Sequence, residues 1–162
     1  MTIRPATRED APRLFELIRE LADYEKLGDA VKGDAELLAT TLFDRRGAEA
    51  LIVEVEGKAV GYAVFFSTYS TFECRPGLWV EDLFVQPGQR RQGIGRALLG
   101  QIAALAIERD CARVEWSALD WNEPALRFYD ELGALRMTQW QTLRLEGYEL
   151  ERLGAERSDI SR

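Results

Sequence analysis

No histidine occurs anywhere in this 162-residue chain, and its only cysteines are Cys74 and Cys111. Those absences argue against a zinc site, and they leave carboxylates, tyrosine, lysine and cysteine as the available general acids and bases. Two isolated cysteines make no disulfide framework. None is needed, because a chain of this length with 46% hydrophobic residues can bury about 70% of the surface its unfolded form exposes. No apolar run approaches the roughly 20 residues of a membrane span. The N-terminus also lacks the basic-then-apolar pattern of a signal peptide, so a cytoplasmic protein with no membrane partner is expected. Basic residues are outnumbered, for a formal net charge of -7. That balance argues against a nucleic-acid partner and favours drawing in a cationic substrate. Repeats and linkers are absent too. One domain over residues 1–153 is expected, with residues 154–162, poor in apolar side chains, left as a frayed or disordered tail.

Read in order, the chain opens with a short strand over residues 2–4. Thr7 and Asp10 then supply a capping-box spacing for a helix that runs to Tyr24. Ala11, Leu14, Phe15, Ile18, Leu21 and Ala22 recur every three or four residues and give that helix one buried face. Asp34 caps a shorter helix. Residues 50–56 and 59–67 are β-prone runs around Gly57 and Lys58, which predicts an antiparallel hairpin. Residues 68–77, polar and broken by Pro76, are expected to be a loop rimming a pocket. A central strand over 78–85, a helix over 96–110 and a strand over 113–119 follow. Asn122 then caps a helix with Pro124 in its first turn and Gly133 at its end. Two closing strands are predicted over residues 134–138 and 142–150.

The rest is arranged around residues 81–95, a strand leading through a glycine-rich turn into a helix. The first amides of a helix have no intrahelical partner, and Gly93 and Gly95, lacking Cβ, let a ligand approach that backbone closely. The result is an anion cradle in outline. Arg90, Arg91 and Arg96 surround it with positive charge that opposes the global sign, so a phosphate-bearing ligand is the natural candidate. A phosphate-binding Walker loop would place Lys and Ser or Thr where Arg96 and Ala97 stand. A dinucleotide fingerprint would place Gly or Ala at the position of Leu98. A plain strand-to-helix turn with solvated arginines remains the bland alternative.

The order Arg90-x-x-Gly93-x-Gly95 resembles the pyrophosphate-binding signature of the GNAT superfamily of acetyl-CoA-dependent N-acetyltransferases. Four further blocks are similar to the spermidine/spermine (diamine) acetyltransferases and their thialysine-acetylating relatives. These are residues 3–6 (Ile-Arg-Pro-Ala), 20–25 (Glu-Leu-Ala-Asp-Tyr-Glu), 81–85 (Glu-Asp-Leu-Phe-Val) and 121–124 (Trp-Asn-Glu-Pro). The pattern Phe128-Tyr129-x-x-x-Gly133-Ala134 extends the likeness, which covers residues 2–152. It implies an α/β fold with a mixed, mostly antiparallel sheet of about seven strands, flanked by four helices and splayed at the central strand. It also implies acetyl-CoA as cosubstrate, a small-molecule amine as acceptor, and a homodimer paired across residues 141–150.

An alkyl amine has a pKa near that of lysine, about 10.4, so it arrives protonated and something must take the proton. The resemblance assigns this to Glu81, through water. Strict alternation puts Glu81 and Asp82 on opposite sheet faces, whereas a bulge turns both toward the cleft. By the same resemblance Tyr129 is the general acid for the departing thiolate. Leu83, Phe84 and Val85 supply strand amides to the pantetheine arm. Arg90, Arg91, Gln92, Gly93, Ile94, Gly95 and Arg96 hold the diphosphate, and Asn122 and Tyr129 also touch the coenzyme. The acceptor cleft is assigned to Tyr24, Glu25, Glu81, Asp82 and Trp140. Ser70 stands where the diamine enzymes carry an aspartate, and the segment 137–141 lacks their acidic residue before the tryptophan. A polyamine, a diamine and a thialysine-like amine with its own carboxylate therefore all stay open. Also open are a non-catalytic acyl-CoA-binding module, an acetyltransferase for protein or peptide amines, and a binding role for the arginine loop.

Overall fold

In the computed structural model residues 1–156 are described, and the chain falls into two compact units, Met1–Ser117 and Ala118–Arg162. The first unit is built on a five-stranded sheet in sequential order. Its strands are β1 (Thr2–Pro5), β2 (Glu49–Val55), β3 (Lys58–Ser70), β4 (Arg75–Val85) and β5 (Val114–Trp116). Neighbours are antiparallel except β4 and β5, which are parallel. Parallel neighbours need a crossover, and α3 (Ile94–Glu108) supplies it. The earlier helices are α1 (Ala11–Tyr24) and α2 (Ala35–Ala39), the second continued by a π-helical stretch, Thr40–Asp44.

Local signals account for most element ends. The Thr7 amide donates to Asp10 Oδ2 at 2.7 Å, and a 3-10 turn, Arg8–Asp10, feeds directly into α1. Asp34 Oδ1 accepts from the Leu37 amide at 2.8 Å and starts α2. The β2–β3 turn is Glu56 and Gly57, one residue earlier than expected, with φ of 52° and 75°. Two successive positive φ values match the right-handed strand twist of a two-residue hairpin.

The sheet has one helix face on each side. Leu14, Leu17, Leu42, Ala50, Ile52, Tyr62 and Phe84 form one buried cluster under α1. The alternate strand residues, Leu51, Val53, Ala63, Leu78 and Val80, are equally buried on the other side. There α3 packs on the strands and contributes Leu98, Leu99, Ile102 and Ala106. Burying a leucine or isoleucine of this kind contributes about 1.5–3 kcal/mol, so neither face is a minor contributor to stability.

Several expectations need correction, the first in the β3–β4 hairpin. Residues 68–77 are not a loop: β3 runs to Ser70 and β4 starts at Arg75, so the hairpin is longer and its turn is confined to residues 71–74. Pro76, which reads as a breaker, pairs with Tyr69, and its carbonyl accepts from the Ala112 amide at 2.8 Å. A proline in that position gives up only a donor the sheet does not use.

The second unit carries α4 (Glu123–Glu131) and α5 (Gly147–Ala155). Asn122 caps α4, with Pro124 in the first turn and Gly133 just beyond its end. Neither predicted closing strand forms among the described residues; 134–146 have no regular structure, and the end of the 142–150 segment is helical. Strands need a neighbouring edge, whereas the Tyr-Glu-Leu-Glu-Arg run from Tyr148 suits a helix by propensity and by local ion pairs. Arg152 pairs with Glu149 at 2.9 Å and Glu156 at 2.7 Å. The sheet thus has five strands rather than about seven, and five α-helices are described rather than four, while the α/β class stands. Of the expected tail, Gly154 and Ala155 belong to α5, and residues 157–162 lie outside the described residues.

Candidate active site

The site is organised by a break in the register of β4. Val64 pairs with Asp82 and Phe65 with Val80, so Glu81 is the extra residue of a bulge. One consequence is a switch of faces. Trp79, Asp82 and Phe84 share the α1 side with Tyr62, while Val80 and Leu83 point to the α3 side. Trp79 Nε1 donates to Glu81 Oε2 at 3.0 Å, which brings the Glu81 carboxylate to the same side. The two adjacent acids therefore face one cleft, as the bulge alternative requires and strict alternation does not.

Their surroundings differ. Glu81 is exposed, whereas Asp82 is largely covered and accepts a 3.0 Å hydrogen bond from the Tyr62 hydroxyl. Burial raises the Asp82 pKa; the bond from Tyr62 opposes that, and the charge of Glu81 adds to it. Glu25, the first residue past α1, is also raised, first by burial and then by the charge of Asp82. Burial and the same carboxylate push the Tyr62 hydroxyl well above its ordinary value. Three carboxylates and a phenol thus meet between the end of α1 and the bulge. Such a cluster is relieved by a cation.

Beyond the bulge β4 loses one neighbour. Its pairing with β5 ends at Val80 and Trp116, and residues 81–85 pair with β3 alone. This is the splay expected at the central strand, and it places Leu83, Phe84 and Val85 along an edge without a β5 partner. The chain then passes through a 3-10 turn, Pro87–Gln89, to Gly93 with φ of 80°. The first bond of the following helix runs from the Ala97 amide to the Gly93 carbonyl. The amides of residues 93–96 precede it and have no intrahelical acceptor. A Cβ added at Gly93 would meet only open space, so packing does not demand glycine there. The left-handed backbone does, and the bare surface leaves room for a bulky anion. Ile94, buried, anchors the turn to the core, while Arg91, Gln92 and Arg96 are exposed around it. These features fit a diphosphate.

Arg90 is more committed than the sequence suggests. Its Nε donates to the Val85 carbonyl at 2.9 Å, and its guanidinium lies 4.3 Å from the centre of the Tyr24 ring. The first unit therefore brings together Tyr24, Glu25, Glu81, Asp82, residues 83–85 and the turn 90–96. Asn122, Tyr129 and Trp140 belong to the second unit. There Asn122 Oδ1 accepts from the Ala125 amide at 3.4 Å, Tyr129 is half-buried with its ring 5.2 Å from that of Phe128, and Trp140 is exposed. Sequence reasoning missed Tyr62, whose one visible signal is a phenol among the aliphatic positions of β3.

The profile of the Acetyltransferase (GNAT) family matches residues 12–134, and the chain belongs to that family. It is an acetyl-CoA-dependent N-acetyltransferase. The chain is 36% identical over 163 aligned positions to the thialysine N-epsilon-acetyltransferase of Bos taurus, covering 93% of this chain and 95% of the relative. It is 28% identical to the L-ornithine N5-acetyltransferase of Arabidopsis thaliana over 92% and 86% of the two chains. Among solved structures, an integron cassette protein from the mobile metagenome of V. cholerae superposes with a TM-score of 0.80 at 26% identity, covering 94% and 96%. No helix among the described residues is long and apolar enough to cross a membrane, and no described cluster of His, Cys, Asp and Glu suits a metal ion.

Proposed function

We propose that this chain moves the acetyl group of acetyl-CoA to a primary amine of a small cationic molecule, a polyamine, a diamine or a thialysine-like amine, by direct attack. The observation that carries this is the bulge at Glu81, which sets Glu81 and Asp82 on one face beside Glu25. Glu81 takes the ammonium proton, through water, and the freed nitrogen attacks the thioester carbon. Amides of Leu83, Phe84 and Val85 hold the pantetheine arm and the thioester oxygen. As the carbon–sulfur bond breaks, Tyr129 gives its proton to the sulfur, and the attacking nitrogen loses its second proton to water, leaving a neutral amide. Arg90, Arg91, Gln92, Gly93, Ile94, Gly95 and Arg96 hold the diphosphate, with Asn122 as a further coenzyme contact. Tyr24, Glu25, Asp82 and Trp140 serve the acceptor. For Tyr129 the support is the Phe128-Tyr129 block and its inclusion in the family match.

The same proposal treats residues 1–153 as one catalytic domain, since the family match runs across both compact units. It also makes the enzyme a cytoplasmic homodimer joined through residues 141–150. Leu143, Leu145, Tyr148 and Leu150, all exposed, are apolar area for such a contact. Free Cys74 and Cys111 suit a reducing compartment.

The test is thiol release from acetyl-CoA against a panel of polyamines, diamines, thialysine, lysine and peptide N-termini. Release with the small cationic amines and little with peptides is the expected result. Release with peptides alone contradicts the acceptor class, and coenzyme A binding without release on any amine contradicts catalysis.

A further inference from the structure

The Tyr62 ring is fully buried in the cluster formed by Leu14, Leu17, Ile52 and Phe84. A phenylalanine would fill nearly the same volume, so packing does not call for the hydroxyl. That hydroxyl donates to Asp82 Oδ2 at 3.0 Å. The two meet because the bulge puts Asp82 on the face of Phe84, the residue paired with Tyr62. Phe84 packs against the Tyr62 ring at 6.2 Å between centroids, tilted by 52°, and so fixes the direction in which the hydroxyl points. Two charged groups act on or are acted on by Asp82, Glu81 on its own strand and Glu25 at the end of α1, and both are acids.

We infer that Tyr62 is a positioning residue for amine binding: its hydroxyl holds one oxygen of Asp82 and thereby aims the other at the acceptor's ammonium group, between Asp82 and Glu25. This rests on reading the cleft as an amine site. Tyr62 itself touches no substrate. Without its hydroxyl the carboxylate loses a bond that offsets its burial, so it becomes both less well aimed and harder to keep ionised.

The test is Tyr62→Phe, which keeps the ring and the core around it. The KM for 1,5-diaminopentane should rise about tenfold, the size of a lost hydrogen bond to a charged group, with kcat within about twofold and the KM for acetyl-CoA unchanged. In an Asp82→Asn background the same change should raise the amine KM no further. An unchanged amine KM, equal losses on both cosubstrates, or full additivity with Asp82→Asn would each overturn the inference. A second measurement needs no turnover: the carbon-13 carboxyl titration of Asp82 should shift to higher pH in Tyr62→Phe, and an unmoved midpoint also overturns it. If the native enzyme acetylates no amine, the reading of the acceptor fails alone, and the titration still decides whether Tyr62 governs Asp82.

Discussion

The Arg90 guanidinium lies 4.3 Å over the Tyr24 ring and is pinned from behind by the Val85 carbonyl at 2.9 Å. One side chain thus links the end of α1, the end of β4 and the turn proposed to cradle the diphosphate. Arg91, its exposed neighbour, carries the same charge without that stack. Removing either should weaken coenzyme A binding in a salt-dependent way. Only Arg90→Ala should also raise the amine KM, by a few-fold, because a stacked cation contributes about 0.5–2 kcal/mol to holding Tyr24 and Glu25. Identical kinetic behaviour of the two variants would show that the stack positions nothing.

Gly93→Val tests the cradle. The new side chain would project into the open space proposed for the anion, at a backbone φ of 80° that L-residues rarely adopt. Coenzyme A affinity measured by calorimetry should fall sharply, well beyond the effect of losing either arginine. Native affinity in a folded Gly93→Val protein would place the diphosphate elsewhere.

Asp82→Asn should separate stability from function. The folded-state pKa of Asp82 is raised, so the folded protein holds that proton more tightly than the unfolded chain does. Its stability contribution is present below the unfolded pKa, near 3.9, and is lost as pH rises through the folded value. At neutral pH the native protein therefore bears the penalty of a charged, covered carboxylate. Asparagine removes the charge and still accepts from Tyr62. Asp82→Asn should melt higher than the native protein at pH 7, the difference vanishing toward pH 3, while the amine KM rises. A lower melting temperature at pH 7 would mean that Asp82 stabilises the fold as an anion.

Much of this was legible from local chemistry. Thr7 with Asp10, Asp34 and Asn122 mark helix starts because a cap is an interaction over three residues, and Gly93 marks the turn because its backbone is left-handed. Tyr62 and Asp82 are twenty residues apart in sequence, and their contact depends on both the β3–β4 register and the bulge. No periodicity reports a one-residue slip. Pro76 misled because a proline that pairs through its carbonyl looks, in sequence, like one that ends a strand. The segment 142–150 carries an alternation compatible with a strand and a helix-forming run from Tyr148, and α5 takes the second.

Tyr129→Phe removes one hydroxyl and leaves ring volume and the packing against Phe128 intact, so the melting temperature should change little. Turnover at saturating acetyl-CoA should fall by about 100-fold, the low end for a general acid, because a thiolate is a tolerable leaving group. The defect should shrink with an acetyl donor whose thiol has a lower pKa. Equal defects with both donors would restrict Tyr129 to holding the coenzyme.

The pH–rate profile of Glu81→Gln bears most directly on the bulge as the source of the base. Glutamine keeps the shape and can still accept from Trp79 Nε1, which donates to Glu81 at 3.0 Å, but it takes no proton. Native acetyl-CoA affinity is expected, with a loss of turnover of about 100-fold or more near pH 7 and progressive recovery as the pH approaches the amine pKa of about 10.4. A native rate at neutral pH, or a loss that stays constant across the whole range, would contradict Glu81 as the base.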